Sequence, residues 1–351
     1  MTSSFDDIAV APNGAVYLSG FTNSNWVIWK GSLNADGTDL ALSVVDTQPT
    51  NLANGSLNPA LVHTTDLAVD AGGDVFAVGT LNGKGGPNGT AHWIVRKQAA
   101  GQGAFATVDD YLFNKADAAA PSGIAVVAGG VYVVGTGGNR WLVRKSANAG
   151  ASWTTVDTFT LDASTNAPAS ATAIVGHEDG TVHVVGVAST AVRTGGTTRN
   201  PTYRYDSRWY MRSSSNGGAS WVNDDVYHEY VPTSFSPPTA VTTDQAGKVY
   251  IAGTINNDTV NSRSIIRTNA DGGWSTADDY QPVGGGYTRA YAMARDSSGT
   301  VYMSGEIASH WSVRSMTPAA TTFSTTTIAS NSTVYRDPSL DLIASNSDLL
   351  A

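Results

Sequence analysis

One pattern recurs six times along the chain and constrains the fold more than anything else in it. A short β-branched and aromatic run ends each time in glycine: AVYLSG to Gly20, DVFAVG to Gly79, GVYVVG to Gly135, TVHVVG to Gly186, KVYIAG to Gly253 and TVYMSG to Gly305. Successive glycines lie 59, 56, 51, 67 and 52 residues apart. A fixed period of this size marks a repeat architecture whose units each form one supersecondary element. Each copy follows a first strand-like run (DIAVAP, DLAVDA, GIAVVA, TAIVGH, AVTTDQ, AMARDS). Each precedes a third (NWVIWK, HWIVRK, RWLVRK, RWYMRS, RSIIRT, HWSVRS). Most copies add a fourth: FATVDDY, SWTTVDTF, SWVNDDVY and WSTADDY. We name these strands A to D. Six four-stranded antiparallel units predict an all-β, six-bladed propeller, because packing blades around a ring buries both faces of every sheet. A sandwich or a two-domain chain would not require six equivalent copies. The expected blades span 5–47, 64–113, 121–161, 169–230, 237–282 and 288–329, with 331–351 left as a tail or closing segment.

Composition agrees with short strands and tight turns. The chain has 351 residues with 37 glycines, and only 14 % of its residues are charged. A net charge of −9 argues against nucleic acid as partner, since that needs a basic footprint. No apolar run approaches the roughly 18 residues of a membrane span. The absence of cysteine excludes disulfides, thiolate metal sites and cysteine nucleophiles. The six histidines lack ligand spacing and no glycine loop precedes a helix, so neither a metal nor a nucleotide cofactor is expected. The Thr/Asn/Gly-rich, lysine-poor surface suits an exported bacterial protein, extracellular or periplasmic, although the chain shows no signal peptide.

The C–D turns of blades 3 and 4 read SANAGASW and SSNGGASW, residues 146–153 and 214–221. Ser and Asn side chains can bond the turn backbone, Gly accepts the left-handed conformation, and Trp inserts beside the hairpin. This turn resembles the Asp-box, Ser-x-Asp-x-Gly-x-x-Trp, of the sialidase-like (BNR-repeat) propellers, with Asn148 and Asn216 in the Asp position. The resemblance implies the fold and a carbohydrate-directed role. Active sialidases add an arginine triad, a Tyr–Glu nucleophile, an Asp acid/base and a Phe/Tyr-Arg-Ile-Pro quartet near blade 1. That quartet is absent and blade 1 has no Arg, which argues against sialidase activity.

The tryptophans that open strand C, Trp26, Trp93, Trp141, Trp209 and Trp311, are expected to fill the wedges between blades, with Ser264 departing in blade 5. The strand C arginines, Arg96, Arg144, Arg212, Arg267 and Arg314, recur in every blade but the first, where Trp29 stands. A feature so repeated reads as architecture, with Asp109, Asp157, Asp225 and Asp278 of strand D as partners.

Functional candidates lie where the repeat varies. From the strand C Arg to the next aromatic the count is 9 in four blades and 7 in blade 5. From the strand B Gly to the start of strand C it is 6, 14, 6, 23, 11 and 6. In a meander the B–C and D–A connections share one face, so the length variation falls on a single side, the usual binding face. The longest insertion, 187–208, carries Arg193, Arg199, Arg204 and Arg208 with Tyr203 and Tyr205. Guanidinium forks pair with carboxylates or sulfates, and tyrosines stack on sugar faces. The residues before strand C (Asn25, His92, Arg140, Arg208, Arg263 and His310) open onto the same face, as do His63 and Arg289 near the channel mouth. The expected function is therefore non-catalytic recognition of a glycan or polysaccharide, an acidic one fitting best. The expected ligand-binding residues are Arg193, Arg199, Tyr203, Arg204, Tyr205, Arg208, His92, Arg289 and His310. The alternatives are a carbohydrate-active enzyme and a structural propeller with a protein partner. Glu306, which breaks its repeat, could pair with Asp66 or Asp7 in glycoside hydrolysis. Tyr205 or His92 with Arg208 could serve a polysaccharide lyase.

Overall fold

A computed structural model of the protein describes residues 3–22, 25–34, 36, 39–49, 63–82, 91–114, 117–229, 236–256, 261–308, 310–330, 343–344 and 349–350. Six consecutive antiparallel four-stranded sheets form a ring, each with its strands in chain order. The chain is a six-bladed β-propeller. Blade 1 holds β1 (Ser3–Val10), β2 (Ala15–Thr22), β3 (Asn25–Leu33) and β4 (Leu40–Pro49). Blade 2 holds β5 (His63–Val69), β6 (Val75–Asn82), β7 (Ala91–Gln98) and β8 (Ala106–Tyr111). Blade 3 holds β9 (Ala119–Val127), β10 (Gly130–Gly137), β11 (Arg140–Ser146) and β12 (Thr154–Phe159). Blade 4 holds β13 (Ala169–Gly176), β14 (Val182–Gly196), β15 (Pro201–Ser214) and β16 (Val222–Tyr227). Blade 5 holds β17 (Pro238–Thr243), β18 (Val249–Asn256), β19 (Ser262–Thr268) and β20 (Ser275–Tyr280). Blade 6 holds β21 (Thr288–Arg295), β22 (Val301–Ile307), β23 (His310–Met316) and β24 (Ser324–Ser330). A two-residue hairpin follows, β25 (Ile343–Ala344) with β26 (Leu349–Leu350). One 3-10 turn, Ala99–Gly101, is the helical content of the described residues, and no helix among them is long and apolar enough to cross a membrane.

The recurring glycine and tryptophan are two halves of one contact. A Cβ on Gly135 would lie 2.9 Å from the Trp93 ring and 2.1 Å from the Ala120 carbonyl. Trp141 occupies the same place at Gly186, and Trp209 at Gly253. Each indole thus lies against the next blade where that blade's second strand has no side chain. Trp26, Trp93 and Trp141 are at most 1 % exposed. Clusters of buried apolar side chains join blade 1 to 2, 2 to 3, 3 to 4, 4 to 5 and 5 to 6.

The strand C arginines are architectural, and their partners lie across the junctions. Arg96 grips Asp46 at 2.7 and 2.8 Å, and Arg144 grips Asp109 at 2.8 and 2.8 Å. Arg212 pairs with Asp157, Arg267 with Asp225 and Arg314 with Asp278 in the same two-pronged way. In every case the aspartate belongs to the preceding blade. Strand alternation explains this: Asp109 pairs with Val95 and points to blade 3, whereas Arg96, one residue on, points to blade 1. A bulge between the two pairs gives the outer strand its extra residue. The guanidinium of Arg144 also stacks on Tyr111 at 4.0 Å, Arg212 on Phe159 at 4.2 Å and Arg314 on Tyr280 at 3.9 Å.

The C–D turns of blades 3 and 4 share one hydrogen-bond pattern. Ser146 Oγ accepts the Gly150 N–H at 2.8 Å, and Asn148 Oδ1 accepts the Ser152 N–H at 2.9 Å. The Asn148 amide also donates to Ser152 Oγ at 2.9 Å, a bond that an ionised aspartate could not make. Ser214, Asn216, Gly218 and Ser220 repeat it. Gly150 and Gly218 sit at φ of 93° and 88°, so glycine is required there. Trp221 then donates to the Val156 carbonyl of blade 3 at 3.1 Å.

Candidate functional site

The hub of the ring is made by β1, β5, β9, β13, β17 and β21, and each of them carries a bulge near its start. The extra residues are Asp6, Thr65, Ser122, Thr172, Thr239 and Tyr291. All six line a polar channel of about 300 Å³, together with Asp7 and Asp66. A bulge turns a side chain out of the alternating pattern, which is how six hydroxyl or carboxyl groups come to face one space.

Most of these groups tie one blade to the next. Asp7 accepts the Leu67 N–H, and Asp6 accepts the Thr64 hydroxyl. Asp66 accepts the Ile124 N–H at 2.7 Å. Ser122 donates to the Ala171 carbonyl at 2.8 Å, Thr172 to Pro238 at 2.7 Å and Thr239 to Ala290 at 3.0 Å. Asp7 and Asp66, candidates for paired carboxylates with Glu306, are thus engaged in cross-blade bonds to backbone N–H groups.

Thr65 and Tyr291 instead bond within their own blades, Thr65 to the Val78 carbonyl at 3.2 Å, and Tyr291 is the one aromatic among the six. Its hydroxyl donates to Glu306 Oε2 at 3.4 Å, and its ring leans on Trp311 with centroids 5.8 Å apart. Arg289 lies opposite Glu306 in the β21–β22 ladder, and its guanidinium is 5.8 Å from the Tyr287 ring. Burial pushes the Tyr291 phenol above its ordinary pKa; a hydrogen bond with Arg289 opposes this and the Glu306 charge adds to it. The phenol is therefore protonated at neutral pH and is an acid or hydrogen-bond donor beside a carboxylate. Glu306 ends a B strand and Arg289 begins an A strand, so the group opens on the B–C/D–A side. Sequence reasoning found Arg289 and Glu306 but missed Tyr291. Its signal was present: at this position the six copies read Asp6, Thr65, Ser122, Thr172, Thr239 and Tyr291, a single aromatic among short polar side chains.

The 187–208 insertion is an ordered β-ribbon, not a loop. β14 and β15 pair without interruption from Val182–Ser214 to Gly196–Pro201, apart from a bulge at Thr194. Alternation sorts its side chains: Arg193, Tyr203 and Tyr205 lie on one face, Arg204, Asp206 and Arg208 on the other. Tyr205 is 46 % exposed and Arg204 and Arg199 are exposed, while Arg193 folds back on the Gly196 carbonyl at 3.0 Å. Arg208 pairs with Asp206 at 3.2 Å, and His228 reaches the same carboxylate at 3.0 Å.

The residues before strand C are largely engaged by local acids. His92 meets Asp110 at 2.6 Å, and Arg263 bridges Glu229 and Asp279. Tyr227 donates to Glu229 at 2.6 Å, and burial followed by that carboxylate pushes its phenol up. His310 Nδ1 contacts the Ala308 carbonyl at 2.8 Å. His92 and Arg208, a suggested catalytic pair, stand in blades 2 and 4 with separate partners. The His63 side chain and residues 50–62 of the first D–A connection lie outside the described residues. No cluster of His, Cys, Asp or Glu among the described residues has the geometry to hold a metal ion.

No protein-family model matches the chain, and no curated protein matches it. Solved structures share the fold. The polysaccharide lyase Uly1 superposes with a TM-score of 0.57 at 11 % identity, covering 95 % of this chain and 83 % of that one. An ulvan lyase gives 0.55 at 13 % identity over 91 % and 82 %. A Hadza microbial sialidase gives 0.51 at 11 % identity, covering 91 % of this chain and 66 % of the sialidase.

Proposed function

We propose that the protein recognises a glycan on its B–C/D–A face, at the channel mouth formed by Arg289, Tyr291 and Glu306, with the β14–β15 ribbon as a second contact area. The observation that carries this is the position of Tyr291. It replaces a short blade-tying residue by an aromatic donor, on the side where the connections also lengthen. Fold neighbours that include polysaccharide lyases and a sialidase lend support to a carbohydrate ligand. An aromatic ring beside a guanidinium and a carboxylate suits a pyranose, whose C–H face stacks while its hydroxyls and any carboxylate hydrogen-bond. Isothermal titration with neutral, uronate-containing and sulfated polysaccharides tests it. Tyr291→Phe and Arg289→Ala are expected to weaken binding at least about tenfold, the worth of one good charged or aromatic contact. Arg204→Ala should weaken it less. Affinity unchanged in both mouth variants refutes the placement.

A second reading is favoured by the Tyr291–Glu306 hydrogen bond alone. Glu306 can serve as the base that abstracts a proton from a uronate, with the protonated Tyr291 phenol as the acid that donates to the departing glycosidic oxygen. Incubation with acidic polysaccharides would then yield shortened chains, and both Tyr291→Phe and Glu306→Gln would abolish their release. Binding without chain cleavage excludes this reading and leaves recognition.

A further inference from the structure

The Arg–Asp clasp recurs at five junctions of the ring, and among the described residues the junction between blade 6 and blade 1 has neither that clasp nor the indole–glycine contact seen from blade 2 to blade 5. The Arg–Asp clasp is missing from both sides at once. Trp29 stands where the other blades have arginine, and Thr327 stands two residues after the Arg314 partner Thr325, as Asp109 follows Thr107. Losing both members is what electrostatics requires, since either charge alone would be buried without a partner. At the hub, Tyr291 bonds Glu306 of its own blade, where Ser122, Thr172 and Thr239 each bond the next blade. The glycine contact is absent: the three atoms nearest a Cβ on Gly20 are all backbone of blade 1, and Trp311 is only half-buried. Among the described residues no buried apolar cluster joins these blades; Ala294 and Val313 pack with other side chains of blade 6.

The consequence is an apolar face on blade 1 with little against it. Cross-strand pairing puts Leu18, Trp29 and Val44 in one row, with Leu42 beside them. Phe5 packs edge-on against Trp29 at 5.1 Å. Phe5 is 47 % and Val44 57 % exposed, and Leu18 is half-buried where the matching Val133 of blade 3 is fully buried. The end of the chain meets blade 1 at the hub. β24 finishes at Ser330 on the outer edge of blade 6, yet β25 packs against both β21 and β1 at the hub. Between Ser330 and Ile343 the sequence carries Val334, Tyr335, Leu340 and Leu342.

We propose that the blade 1 face of this junction, Phe5, Trp29, Leu42 and Val44, is the docking surface for the chain's own C-terminal segment, residues 331–351, anchored at the hub by β25. Apolar burial at this one junction stands in for the clasp used at the other five.

The absence of native cysteine allows a clean test. Val44→Cys is labelled with a thiol reagent in the full chain and in a chain ending at Ser330, with the equally exposed Val222→Cys of blade 4 as control. Labelling at position 44 is expected to be about tenfold slower in the full chain, the factor that ~1.4 kcal/mol of protection gives. Position 222 is expected to react equally in both. A synthetic peptide of residues 331–351 should restore the slow rate to the shortened chain. If the shortened chain fails to fold, the same rates are read in the full chain carrying Leu349→Asp and Leu350→Asp. Equal rates at position 44 with and without an intact C-terminal segment overturn the proposal. So does protection that survives truncation and grows with protein concentration, which would mean a second copy of the chain on this face.

Discussion

Removing one carboxylate from a clasp should cost far more than removing the whole clasp. In Asp109→Ala the Arg144 guanidinium, whose side chain is 8 % exposed, keeps Thr155 at 3.2 Å and the Tyr111 ring at 4.0 Å but loses both short bonds to its counter-ion. An unpaired charge at such a site costs about 3–5 kcal/mol, while replacing the pair by apolar side chains of similar volume is often neutral or favourable. The expected order is therefore Asp109→Ala least stable, then Arg144→Met, with the double variant Asp109→Leu/Arg144→Met within about 1 kcal/mol of the parent. Urea unfolding followed by tryptophan fluorescence measures this, provided the slope stays constant so that the midpoint reports stability. The exposed pair Arg208–Asp206 is the internal control, and Asp206→Ala should cost under about 1 kcal/mol. If Asp109→Ala costs no more than Asp206→Ala, or if the double variant is as damaged as the single one, the clasps do not work by charge compensation across the junction.

Gly135→Ala would put a methyl 2.1 Å from the Ala120 carbonyl and 2.9 Å from Trp93. It should lose at least the ~1–3 kcal/mol of an overpacked core by the same assay. Ser146→Ala leaves the Gly150 N–H, buried in the turn, without its acceptor, at a cost of about 1–3 kcal/mol. The Asp162 carboxyl is held down to about 2 by the hydroxyls of Ser164 and Thr165, against an ordinary 3.8. A lowered folded pKa stabilises above the unfolded value and loses that contribution as pH falls from about 4 to about 2. Asp162→Ala should therefore flatten the stability profile in that window and leave its shape near pH 7 unchanged, which an acid titration of the urea midpoint would show.

How much of this was legible in the sequence depends on whether a feature repeats. Blade number and strand order follow from positions that recur six times, and an error in one copy is corrected by the others; the tryptophan recurs in five copies, and the expectation that Trp311 fills a wedge fails because it is half-buried and makes no contact at Gly20. The clasp aspartates were visible as a column in strand D, but the blade each one serves was not. That depends on a bulge, which shifts Asp109 relative to Arg96 and sends the two side chains to opposite faces. Asp46, the partner of Arg96, was hidden because blade 1 has no arginine of its own to draw attention to its outer strand. The insertion at 187–208 looked like one mixed patch of Arg and Tyr. Paired strands divide it into two faces of different chemistry.

The same logic explains why the channel mouth was only half read. Alignment on the strand B glycines brings Glu306 into view, because it sits one residue from Gly305. Tyr291 stands one residue out of the strand alternation, at a bulge, so a reading in steps of two passes over it. Yet the bulge is the device that points Asp6, Thr65, Ser122, Thr172 and Thr239 at the channel and lets Ser122, Thr172 and Thr239 each bond the next blade. A tyrosine there is released from that duty only because blade 1, its neighbour around the ring, is not tied in the same way. The junction that lacks its clasp and the mouth that gains an aromatic donor are thus two sides of one departure. A propeller that keeps all its ties offers short, occupied groups at its hub, whereas giving up one tie leaves a phenol, a carboxylate and a guanidinium together at the channel mouth.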